Sequence, residues 1–251
     1  MEQEVIPLYT NWSFWAVVVA AVAVILSQIP PIHTLLKSAK LDLEVYSKIS
    51  ISHKLGNPNL QLHIIINNIG GRKVRVKSLD ITVSRAGNNL AKLPAQNYFQ
   101  NQADKTTVLF TPFSISPNEE WAHITNFLEF FNREDENQYR EIEARMLEDF
   151  RAKRPLAPQN DDAPIILEDA VVQPAIDFFN RHYVWRSGEY TLAVNIKTEN
   201  DKANISKNYR FTIFESHEGQ LRAISEHYNT GADIWWDPKI PTNVLLDVQE
   251  A

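Results

Sequence analysis

Seven histidines, at 33, 53, 63, 123, 182, 217 and 227, are the side chains of this sequence that titrate near neutral pH. None forms a His-x-His or His-Glu-x-x-His pattern, and no carboxylate-rich calcium loop accompanies them. There is no cysteine, which excludes disulfides, thiolate metal ligands and a thiol nucleophile. The seven glycines fall in no Gly-x-Gly-x-x-Gly or Gly-x-x-x-x-Gly-Lys pattern, and a Gly-x-Ser-x-Gly elbow is missing. The sequence therefore nominates no catalytic, cofactor-binding or metal residue and implies no cofactor.

What it offers instead is chemistry for binding. Arg72, Lys73, Arg75 and Lys77 cluster after the turn Asn67-Asn68-Ile69-Gly70-Gly71. They read either as a solvated sheet face with edge-protecting charge or as a surface for anionic headgroups or an acidic partner. Trp235 and Trp236, like the aromatics of Phe127 to Phe131, fit core packing or an interface anchor. The net charge of -6 argues against nucleic acid as the partner.

The elements that must position these groups begin with an apolar run. No charged side chain occurs from Val5 to Leu36. Residues 12-29 would make a helix about 27 Å long, close to a bilayer core. The expectation is a transmembrane anchor carrying Trp12, Trp15, Val18, Val22, Ile25 and Ile29, between a translocated tail (1-11) and a linker (30-40). The tail lacks the basic residues of a signal peptide. Lys37, Lys40 and Lys48 follow the run, so the positive-inside bias places the carboxy-terminal part in the cytoplasm, at a bacterial inner membrane. Ala16, Ala20, Ala21 and Ala23 would permit self-association through that helix.

From residue 41 the period changes to two. Strands are expected near 41-51, 60-66, 73-83, 108-115, 121-128, 189-197 and 209-214. Val74 and Val76 share one parity and Leu79, Ile81 and Val83 the other, so an extra residue near Lys77-Ser78 implies a β-bulge or a strand changing sheets. The segments Leu62-His-Ile-Ile-Ile-Asn-Asn-Ile-Gly-Gly-Arg-Lys-Val-Arg-Val and Ser187-Gly-Glu-Tyr-Thr-Leu-Ala-Val resemble strand pairs of immunoglobulin-like and fibronectin-type-III-like domains. That resemblance, over 60-130 and 185-215, implies a β-sandwich and no chemistry.

Between the fifth and sixth strands, residues 133-153 have helical spacing. Asn132 caps, acids fill the first turn and bases the last. Tyr139, Ile142, Met146 and Phe150 form one apolar face, to cover an open end of the sandwich or to reach a partner. Residues 165-185 fit either strand or helix. The expected fold is thus mainly β: a transmembrane helix, then an Ig-like sandwich over 41-251 with an amphipathic helical insertion. The expected function is a non-enzymatic, single-pass membrane module whose cytoplasmic sandwich recruits a protein partner. Two alternatives stay open: a periplasmic or extracellular sandwich binding envelope components, and a membrane-anchored hydrolase.

Overall fold

Alternation of apolar and polar residues puts one face of each long strand in a shared core. The computed structural model describes residues 12-28, 38-101, 103-154, 165-234 and 243-251. The strands are β1 (Leu41–Lys54), β2 (Asn57–Asn68), β3 (Val74–Arg85), β4 (Asn88–Tyr98), β5 (Val108–Leu109), β6 (Phe113–Ile115), β7 (Glu120–Leu128), β8 (Gly188–Thr198), β9 (Ile205–Ile213), β10 (Asn243–Asp247) and β11 (Gln249–Glu250). They pair in the order β10-β1-β2-β7-β4-β3-β8-β9-β11, with β5 beside β4 and β6 beside β3. Leu43, Ile49, Ile64, Val76, Ile81, Leu192 and Val194 are among the fully buried residues of the common core.

The expected Ig-like sandwich is corrected to one nearly closed, barrel-like sheet, and two strands make the difference. β4 pairs with β3 through residues 88-94 and then with β7 through residues 95-98, so it carries the chain from one half-sheet to the other. Its sequence buries only Leu93, which hid it from a periodicity reading. On the opposite side β10 pairs with β1, and β11, one residue further on, pairs with β9.

Turns and bulges follow local chemistry. The β1–β2 hairpin closes on Leu55 (φ 47) and Gly56 (φ 86), a two-residue turn whose positive dihedrals match the twist of the strands. The turn is therefore one step earlier than the Gly-Asn-Pro-Asn punctuation suggests. A Cβ on Gly56 would stand 2.6 Å from the Phe179 carbonyl oxygen, so glycine is required there. The register against β8 shifts between Val76 and Ser78, which places the expected bulge at Lys77.

The helices gather at the hairpin end of the barrel. α2 (Arg133–Lys153) has the expected bounds, and the Asn132 side chain accepts from the N–H groups of Glu134 and Asp135. It packs Tyr139, Ile142 and Met146 toward α3 (Asp169–His182), which resolves the ambiguity over 165-185. α4 (Glu215–Ala223) continues into a 3-10 segment (Ile224–Thr230). Trp185, wholly buried, ties the return from α3 to β1 by donating from Nε1 to the Ser52 carbonyl at 2.7 Å.

The expected membrane anchor is also corrected. α1 (Trp12–Gln28) is helical, but it has 17 residues, about 25 Å of rise, against the roughly 20 residues a bilayer core needs. Among the described residues no helix is long and apolar enough to cross a membrane. The single-pass topology, the inner-membrane location and the orientation derived from flanking lysines lose their basis with it. Trp12, Trp15, Val18, Val22 and Ile25 lie on α1, and Ile29 falls outside the described residues.

Candidate functional site

The histidines are engaged structurally where they are buried. His53 lies at the end of β1 with its side chain fully buried, its Nε2 3.0 Å from the Leu221 carbonyl oxygen. Its Nδ1 accepts from the Gly56 N–H at 3.2 Å and stands 3.3 Å from Asp233 Oδ2. That same oxygen accepts from the Leu55 N–H at 3.0 Å and from the Tyr228 hydroxyl at 3.1 Å. These bonds fasten the hairpin tip to the segment after β9. Every polar atom of the ring is used, leaving none facing solvent.

His123 contacts the Phe99 carbonyl through Nδ1 at 3.0 Å, and burial pushes its pKa down. It sits in an aromatic group with Tyr98, Trp121 and Phe113 between the two half-sheets. His182 packs against Phe178 and Phe131, and burial lowers its pKa as well, partly opposed by Asp135. Among the described residues no group of three or more His, Asp or Glu side chains could hold a metal ion.

The residues nominated for binding separate. Tyr139 is buried, with its hydroxyl donating to Glu143 and the Lys54 ammonium 5.1 Å from its ring. It belongs to the helix packing. Trp235 and Trp236 lie outside the described residues. Arg72, Lys73, Arg75 and Lys77 come together at the β2–β3 turn and on the outer face of β3, all exposed. Buried Asn68 holds the turn by donating to the carbonyls of Arg72 and Ile115. Lys197 of β8 joins this face through the Ser78–Lys197 register, which sequence parity alone did not reveal.

A second feature is a seam where the barrel does not close. β11 pairs with β9 only at Tyr209 and Arg210, and the Ala251 N–H donates to the Asn208 carbonyl. Backbone groups alternate in direction along an antiparallel strand, so the N–H and C=O of Thr212 point the same way, past the end of β11. On the facing strand the Val248 N–H donates to the Ser47 carbonyl, so even-numbered residues of β10 face β1. Leu245 and Asp247 then turn their backbone groups toward β9. No ladder joins β9 to β10 among the described residues.

The two edges flank a groove of about 530 Å³ lined by residues including Phe211, Thr212, Phe214, His217, Leu245 and Leu246. Phe211 and Leu246 form its buried floor, and Phe214 and Leu245, 57% and 60% exposed, form its lips. At its lower end the Gln220 side chain of α4 donates to the Asn243 carbonyl, and the His217 ring accepts from the Phe214 N–H. Neither the β10 strand nor the gap beside it was among the strands expected from the sequence, because both depend on pairings remote in the chain.

Comparison with protein-family models, with curated proteins and with solved structures finds no match to this chain.

Proposed function

We propose that this chain is a non-enzymatic binding module that captures an extended segment of a protein partner at the β9–β10 seam. One observation carries the reading: two strand edges that no ladder joins among the described residues, with backbone groups directed across the gap at Thr212 on one side and at Leu245 and Asp247 on the other, flank an apolar-floored groove. Unpaired edge groups are a template for another strand, with main-chain hydrogen bonds giving affinity and side-chain pockets giving selectivity. The floor of Phe211 and Leu246 favours a segment with apolar residues at alternate positions. The structural use of His53, His123 and His182 supports a binding role over a catalytic one.

Thr212→Pro provides the test. Its N–H points away from β8, so proline removes only the seam-facing donor and leaves the β8 ladder in place. Peptides selected on the full chain from a displayed random library should share an alternating apolar pattern and bind Thr212→Pro roughly tenfold more weakly, the cost of a lost hydrogen bond plus an unpaired acceptor. Equal binding to both proteins would contradict capture at the seam.

A further inference from the structure

We infer that the outer face of the β3–β8 pair docks an acidic, extended segment of a protein partner, held by Arg75, Lys77 and Lys197 and rimmed by Arg72 and Lys73. This inference is independent of the seam. β3 runs between β8 on one side and β4 and β6 on the other, so its cations guard no edge. Arg75 and Lys77 are alternate residues of one strand and point to the same face, about 7 Å apart. The bulge sets Lys77 beside Ser78 opposite Lys197, which brings like charges across the strand pair. Such juxtaposition disfavours the folded chain.

None of the five forms an ion pair among the described residues, although the chain carries 31 acidic against 25 basic residues. Lys73 lies within electrostatic reach of Glu119. Glu199 bonds the Arg75 carbonyl through its backbone N–H only. On the same sheet face, by contrast, Lys92 stands 3.8 Å from the Asp80 carboxylate. Arg75, Lys77 and Lys197 thus cost folding stability and find no ion-pair partner among the described residues, which an incoming anion would supply.

The spacing fits a polypeptide as that anion, and the charge of the whole chain favours a short one. Carboxylates at alternate residues of an extended segment repeat at the same distance of about 7 Å as Arg75 and Lys77. A short segment also meets only this local face, because charges beyond about 8 Å are screened at physiological salt. A duplex or a lipid surface would meet the net charge of -6 as well.

The test uses the full chain and a fluorescein-labelled polyglutamate peptide, read by anisotropy at low and physiological salt. The wild-type chain should bind in a salt-sensitive manner. The triple variant Arg75→Gln/Lys77→Gln/Lys197→Gln should bind roughly tenfold more weakly with unchanged circular dichroism. Lys92→Gln, whose partner is Asp80, should bind like wild type. No detectable wild-type binding, or equal binding by the triple variant, would overturn the assignment. So would tighter binding of phosphatidylserine vesicles or duplex DNA than of the peptide, lost in the same variant.

Discussion

Asp233 holds more of this molecule together than its single charge suggests. Its Oδ2 takes hydrogen bonds from the Leu55 N–H and the Tyr228 hydroxyl while facing His53, 5% exposed. Asp233→Ala should cost roughly 3 kcal/mol, because it leaves two buried donors unpaired. Tyr228→Phe removes one donor with its bond and should cost only about 1 kcal/mol. Urea unfolding of the two variants measures the difference. At Gly56 alanine meets the Phe179 carbonyl at 2.6 Å and keeps a positive φ, so Gly56→Ala should lose roughly 3 kcal/mol or more. Tyrosines give the pH dependence. Burial, with Glu250 and Asp42 adding to it, pushes the Tyr209 hydroxyl up to about 12, and Tyr139, Tyr190 and Tyr228 are raised by burial too. A raised folded pKa means stability is complete below the unfolded value near 10 and falls as pH rises toward 12. Unfolding midpoints across that window should drop, and Tyr209→Phe should flatten the fall. Of this residue-level detail, the Lys77 bulge was legible from parity. The Asp233 hub was not, because Leu55 and Asp233 are 178 residues apart.

Helix α2 and strand β4 mark the two extremes of what an element announces about itself. α2 carries its own signals: a capping asparagine, acids then bases along the axis, and an apolar face at helical spacing. Its bounds were legible because those signals are local. Asn132→Ala should therefore cost about 1 kcal/mol, seen as a lower thermal midpoint. β4 carries almost none. It is polar, contains Pro94 and buries one side chain, and it is held by neighbours on both sides instead of by its own pattern. α3 was ambiguous for a related reason: Pro174 lies inside it, so propensity opposed a helix that packing against α2 and β2 imposes. The seam belongs with these cases, since an unpaired edge is defined by a partner strand that stops short.

The whole molecule is a sheet that bends until its edges nearly meet, and the last nine residues hold those edges together. β10 on β1 and β11 on β9 are joined through Val248 alone. Deleting residues 243-251 should expose both edges and produce concentration-dependent association, visible by light scattering. The mainly β character was legible from seven alternating segments. Closure was not, because β4 and the divided β10–β11 strand were needed to turn two sheets into one. The membrane anchor was inferred from apolar length, and α1 as folded falls short of that length.

Amide hydrogen exchange at the seam tests the binding reading most directly. In the free chain the N–H groups of Thr212, Leu245 and Asp247 should exchange as solvent-facing amides, while those of Phe211, Val244 and Leu246, directed into ladders, should be protected. Adding a peptide selected on the full chain should protect the first three. If those three amides are already protected in the free chain, the barrel is closed there and the capture mechanism is wrong.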